Sequence, residues 1–454
     1  MVVKRSWYTI RFSKKSQGGI QMKMKKIFQI LIVATIVVVL PATLVFSGKG
    51  SAKKVTITLM RDAAEMPDEV IQTFEQQNEG INVSVVENDP AKLMAMIAGG
   101  NAPDVFRING IGSPYWIRKG LLMDITSNLE KSIDMDDLFP VNGMFRFDGT
   151  TQGKGPYYGI VKDWSLDYMY YYNKDALKEA GVPVPSDDQP VTFSEFTDMI
   201  NKITVYKDGK AERYGFGYTD DEFNGYFMYL LASKGKYLFK DNGTKLNIDD
   251  PDVHALFKWW FDEAKIHHAM HNPLDPAPDW DGPLFQAGRV ALQWDGYWFG
   301  PIINEGGQIP PDHFKFAPAP MYGNKRVNAT GGGTGYVICS KTKNFDAAWK
   351  FYVYYMLEDE AVARAKSGWG LPARKSMLKY VPQETAFDKY RLEQVKKELP
   401  YQIILQFTPY LRDSALVSIY NQQMEPALKG EIDFDTALKN LANQINSMIA
   451  KEMQ

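Results

Sequence analysis

Phe285–Gly300, FQAGRVALQWDGYWFG, reads as the end of a helix, a short buried strand and a loop of aromatics. Gly288 is placed to stop the helix, since glycine takes the left-handed conformation that ends one at little cost. Val290, Ala291 and Leu292 form an apolar run of the length of a buried strand. Trp294-Asp295-Gly296-Tyr297-Trp298 then gathers three aromatics, a carboxylate and a permissive glycine where the strand hands over to the next element. In open α/β sheets, ligands bind in the crevice beyond the carboxyl ends of the strands. Core packing explains any one of these rings about as well as binding does. Their density adds weight to binding, because each tryptophan away from water needs a partner for its indole N–H. A flat apolar face with a polar edge also matches a sugar ring, which carries C–H groups on its faces and hydroxyls around its rim. The loop is expected to form one wall of a carbohydrate site.

The chain has 454 residues, enough for two lobes or domains. Hydrophobic residues make up 45% and charged residues 23%, the balance of a soluble globular protein. A formal net charge of −2 gives no general attraction to nucleic acid. Cys339 is the only cysteine, so no internal disulfide can form. Lys23, Lys25 and Lys26 precede an apolar run, Ile27–Leu40, then Pro41 and further apolar residues to Phe46. That is the pattern of a secretory leader over residues 1–52, with small residues Gly50-Ser51-Ala52 at the expected cleavage point. An uncleaved membrane anchor stays open as the alternative, since Ile27–Phe46 approaches the length of a span. Residues 1–21 are long and unpatterned for a leader, which points to Met22 or Met24 as the start. No cysteine stands at the cleavage point, so anchoring through an N-terminal lipidated cysteine is excluded.

Val55–Leu59 alternates like a strand and is followed by Arg61 and Asp62. Pro67–Asn78 has helical spacing at Val70, Ile71 and Phe74. Ile81–Val86 is a second strand, ending at Glu87. Lys92–Ala98 is a helix stopped at Gly99-Gly100, and a third strand follows Ala102-Pro103-Asp104, with Asn109 after it. This β-α-β-α-β order predicts a parallel sheet. Further on, Asp208-Gly209 signals a hairpin turn leading to Tyr218. Thr192 is a candidate N-cap for the helix that starts at Phe193.

Six landmarks, taken in order, resemble the extracellular solute-binding proteins of carbohydrate ABC importers, the group that includes maltose-binding protein. They are Ala102–Val105; Tyr158-Gly159-Ile160 with Tyr171–Leu177; Thr192–Phe196; Phe285…Gly288…Gly296-Tyr297-Trp298; Gly331–Ile338 with Ala348-Trp349; and Leu371–Ser376. The resemblance implies an α/β, two-lobed periplasmic-binding-protein fold, each lobe a mainly parallel sheet flanked by helices. It implies three crossings, placed near Gly159–Lys162, Phe316–Pro320 and Gly368–Pro372. Lobe one would hold residues 53–160 and 320–368, and lobe two residues 163–315 and 372–454. The cleft would then collect Arg61, Asp62, Glu87, Asn109, Trp164, Tyr218, Trp294, Asp295, Trp298, Gly332 and Trp369. In that arrangement Trp164, Trp298 and Trp369 stack on sugar, and Asp62, Glu87 and Asp295 accept from hydroxyls. Arg61 donates, and Gly332 brings a backbone N–H close.

The resemblance further implies a monomeric, exported binding subunit, periplasmic or at the cell surface, that binds an oligosaccharide and serves a membrane permease. It needs no cofactor and does no chemistry. His267 and His271 stand four apart, a spacing that can share a helical face, without a third ligand, and Asp134, Asp136 and Asp137 lack the glycine and distal glutamate of a calcium loop, so a capped helix start or a solvated loop fits them better. Asp275, Asp279 and Asp281 give only a faint calcium signal. Gly331–Gly335 would need a helix after it to cradle phosphate, and Tyr336–Cys339 reads as a strand. Two rivals stand beside the sugar-binding reading: a binding protein for a peptide or polyamine, and a glycoside hydrolase, whose carboxylate pair cannot be picked out among 54 acidic residues.

Overall fold

The computed structural model describes residues 54–217, 223–270, 281–304 and 309–454. Two sheets organise it. In the first, Val55–Arg61 lies between Ile81–Glu87 and Val105–Asn109, parallel to both, with Arg61 opposite Glu87 and Leu59 opposite Val105. Thr334–Ile338 closes the far edge antiparallel, Thr334 opposite Asn109. The three parallel strands therefore finish on one side, and Arg61, Glu87 and Asn109 mark that side. The expected helices form at Asp68–Gln77 and Pro90–Ala98. Ile71 and Phe74 point inward, and Phe74 meets Phe351 of the helix Phe345–Met356 edge-on at 5.1 Å.

The second sheet runs Phe314–Ala317, Tyr170–Asn173, Val290–Trp294, Lys210–Phe216, Val205–Lys207. It corrects the expectation of a mainly parallel sheet. Only Val290–Trp294 and Lys210–Phe216 are parallel, and the other three pairings are antiparallel. The hairpin imposes one of them: Asp208 and Gly209 both have positive φ, 51° and 75°, which a two-residue turn between twisted strands requires. The core behind this sheet is aromatic. Trp294 is fully buried, stacked on Phe196 at 5.0 Å with Phe216 and Tyr226 against it. The C-terminal helices Asp413–Lys429 and Phe434–Met453 pack on this lobe, with Tyr420 near Phe257 and Phe434 near Phe261.

Between the sheets three stretches lie side by side. Lys162 N–H donates to Thr334 O at 2.8 Å, and Trp164 and Leu371 exchange backbone bonds at 3.1 and 2.7 Å. Two of the expected crossings are here. The third is not at Phe316–Pro320: Phe314–Ala317 is a strand of the second sheet, and Met321, Gly323 and Asn328 still bond to its surroundings at Val191, Ser233 and Tyr401. The chain reaches the first sheet only at Thr330–Thr334. Past Leu371 it also stays longer with the first lobe than expected, since Ala373 O accepts from Phe139 and Asn142 and Ser376 bonds Asp137. Asp134 caps the short turn Met135–Asp137, the first of the two readings of that acidic run. Among the described residues no helix is long and apolar enough to cross a membrane, and no group of three or more His, Cys, Asp or Glu is placed to hold a metal ion. His271, Asp275 and Asp279 lie outside the described residues.

Candidate functional site

The carboxyl ends of the first sheet and the first crossing meet around a charged cluster. Arg107, near the end of its strand, forks onto Glu65 with two bonds of 2.7 Å. Lys162, in the first crossing, reaches Asp163 at 2.5 Å and Glu65 at 3.6 Å. Burial alone would raise the Glu65 carboxyl, yet the charges of Lys162 and Arg107 and their hydrogen bonds hold it at about 2. Lys162 is buried, which disfavours its charge, and Asp163 and Glu65 more than restore it. Two cations and two carboxylates balance here, with Glu65 and Asp163 still partly open to solvent. Beside them Asn109 Nδ2 donates to Asp413 of the second lobe at 3.0 Å.

A second feature adjoins it. The buried Asp167 carboxylate accepts from Thr330 Oγ1 at 2.7 Å and from the N–H groups of Gly331 and Gly332 at 2.8 and 3.1 Å. Burial pushes this carboxyl up to about 6, against the pull of those three donors. The glycine run thus spends two N–H groups on the protein's own carboxylate.

The expected site residues divide. Trp298 is partly buried and packs edge-on to Phe299 at 5.7 Å. Trp369 is 40% exposed, next to Gly370, where any side chain would meet Asp163. Asn109 and Asp62 are partly exposed near the cluster, but Asp62 uses Oδ1 to accept from Ala64 N–H at 2.9 Å. Glu87 is exposed and accepts from Ala63 N–H at 2.7 Å, so both acids shape the loop that carries Glu65.

Five of the expected residues have a structural role in the fold. Trp294 is core, closed off by Phe196, Phe216 and Tyr226. Trp164 is 3% exposed, with its indole N–H on Pro372 O at 2.9 Å and its ring against Phe139, so it packs the crossings. Asp295 is buried at the end of its strand. Arg61 is buried and bonded to Asp68 at the start of a helix, where it serves the fold. Gly332 directs its N–H at Asp167 rather than outward. Tyr218 lies outside the described residues.

Sequence reasoning missed Glu65, Lys162, Asp163, Asp167 and Asp413. Lys162-Asp163 had a usable signal, a charged pair at a crossing that was itself legible. Glu65 and Asp413 had none, because their partners Arg107 and Asn109 lie 42 and 304 residues away.

Two sheets with their helices, joined by stretches that lie side by side and carry a partly exposed charged cluster, define a two-lobed α/β fold. The chain belongs to the bacterial extracellular solute-binding protein family, which matches over residues 69–389. It is similar to the maltotriose-binding protein of Pyrococcus abyssi, 26% identical over 282 residues, or 60% of this chain and 54% of that one. It is also similar to the diacetylchitobiose-binding protein DasA of Streptomyces coelicolor, 23% identical over 292 residues, 63% of this chain and 64% of that one. The chain thus spans between half and two thirds of these relatives' length. An ABC substrate-binding protein from Listeria monocytogenes, solved in complex with cycloalternan, shares the fold with a TM-score of 0.71 at 24% identity, covering 88% of this chain and all of that one.

Proposed function

We propose that this chain is the exported substrate-binding subunit of an ABC importer, monomeric, and that it binds an oligosaccharide between its lobes and presents it to a membrane permease. The observation that carries the reading is the balanced, partly exposed cluster of Glu65, Arg107, Lys162 and Asp163, with the exposed Trp369 and the partly exposed Trp298 on segments that adjoin residues 163–165. Indole rings that keep exposed surface suit the C–H faces of sugars. Charges already paired with one another can exchange hydrogen bonds with neutral hydroxyls without needing a counter-charge from the ligand. The relatives named for maltotriose and diacetylchitobiose support the same class. Closure about the three crossings would bring the two lobes onto the sugar. No catalytic step is assigned to it.

The test is a thermal-shift screen over neutral oligosaccharides, with peptides and polyamines as separate arms. A shift with one or more oligosaccharides is expected. A shift only with polyamines or peptides would overturn the reading, and release of shortened products from a bound oligosaccharide would move the protein to the glycoside hydrolases.

A further inference from the structure

The aromatic loop lies flat on the first crossing. Gly296 has φ 64° and ψ −159°, a conformation open essentially to glycine. A Cβ there would come within 2.8 Å of Leu166 O and 2.9 Å of Asp167 Cα. Directly after it the chain starts a tight turn, Tyr297–Phe299, whose first N–H groups have no partner within the turn. The buried Ser165 hydroxyl takes two of them: Tyr297 N–H and Trp298 N–H both donate to Ser165 Oγ, the latter at 3.3 Å. On its other side Tyr297 O accepts from Arg391 at 2.8 Å, and Arg391 is itself buried and paired with Asp388 at 2.9 Å. The peptide that begins the turn is therefore fixed at both its N–H and its C=O.

Ser165 is also tied to the other two crossings. Its neighbour Trp164 exchanges backbone bonds with Leu371, and two residues on, Asp167 takes Thr330, Gly331 and Gly332. A five-residue piece, 163–167, thus touches the charged cluster, both neighbouring crossings and the turn that carries Trp298.

We infer that Ser165 is the positioning residue for Trp298: its hydroxyl holds the backbone of the turn against the crossing, so that the ring keeps its place relative to the segment 163–167 when the lobes move. This deepens the proposed saccharide reading and rests on it for the affinity effect alone. Ser165 touches no ligand in this assignment and acts through the loop.

The experiment has two arms. In the first, the full chain is labelled with 5-fluorotryptophan and read by fluorine NMR without ligand, the Trp298 and Trp294 signals being assigned with Trp298→Phe and Trp294→Phe. Ser165→Ala should shift or broaden the Trp298 signal and leave Trp294, buried at the loop's start, in place. Ser165→Cys, nearly the same size and a poor acceptor, should do the same and serves if the alanine variant does not fold. In the second arm, an oligosaccharide from the screen is titrated. Ser165→Ala should weaken binding about tenfold in the wild-type background and less than about twofold when Trp298→Ala is already present. A Trp298 signal unmoved in the folded variants would overturn the inference, and so would a full tenfold loss in the Trp298→Ala background. If no saccharide binds, the functional proposal fails, and the fluorine signals still decide the role of Ser165.

Discussion

Trp294 and Trp298 stand four positions apart, and truncating them should do different damage. Trp294 fills the aromatic core, so Trp294→Ala should cost about 3–5 kcal/mol of stability. Trp298 is only partly buried, so Trp298→Ala should leave the ligand-free melt closer to wild type than Trp294→Ala does and weaken oligosaccharide binding by about 2 kcal/mol, roughly thirtyfold. Melting curves beside titrations check both, and a large melting loss for Trp298→Ala with unchanged affinity would make it a packing residue. Asp167 supplies a pH effect of definite sign. Its ordinary value is 3.8 and burial raises it to about 6 in the fold, so between those values the native state holds a proton that the unfolded chain has released. Stability from this group is therefore fully present below about pH 4 and is lost as pH rises toward 6, with an upper bound of about 3 kcal/mol. Asp167→Asn should flatten that part of the pH–stability curve. The comparison must be wild type against variant, because Glu65, held low, acts with the opposite sign at lower pH. A wild-type-minus-variant difference that grows with pH across the window would show the three donors outweighing burial.

The helix Phe193–Ile203 begins with a full capping box: Thr192 Oγ1 accepts from Glu195 N–H at 3.1 Å, and Glu195 reaches back to Thr192 N–H at 2.7 Å. Thr192→Ala should cost about 1 kcal/mol, read as a lower urea midpoint with unchanged slope. An unchanged midpoint would mean that the contacts of Phe193 and Phe196 alone fix this end. This cap was legible in the sequence, as were the Asp208-Gly209 hairpin, the stop at Gly288 and the buried strand at Val290. Each depends on residues within a few positions of one another, where side-chain chemistry and φ decide the outcome. Much of the site was not legible for the opposite reason. Trp164, Trp294 and Trp298 are the same residue type in similar aromatic settings, and only their distant neighbours separate a crossing residue from a core residue and a partly exposed one. Phe314–Ala317 misled in the same way: a crossing is expected near Phe316–Pro320, and nothing local says that this stretch pairs with Tyr170–Asn173.

Neither lobe is continuous in sequence, and this makes the single cysteine a reporter for the whole molecule. Cys339 follows the strand Thr334–Ile338, which completes the first sheet only after the chain has built the second. It is 1% exposed, and burial pushes its thiol up, so a thiol reagent can reach it only through opening of the first lobe. Native labelling should therefore be slow and should speed up in denaturant. The informative measurement adds ligand. If an oligosaccharide bridges the lobes, through Trp298 on one side and the Arg107–Glu65 pair on the other, opening the first lobe requires releasing it. At a free ligand concentration of about 100 times Kd, labelling of Cys339 should then slow about a hundredfold, the factor by which binding depletes the open form. If the ligand rested on the second lobe alone, the first could open beneath it and labelling would keep its ligand-free rate. Lys162→Met should separate the two further, because it removes a charge from the crossing while leaving Trp298 in place. That variant should show weaker binding, and its labelling should slow by the same factor once ligand is raised in proportion to the new Kd. A rate insensitive to saturating ligand would remove the first lobe from the binding site.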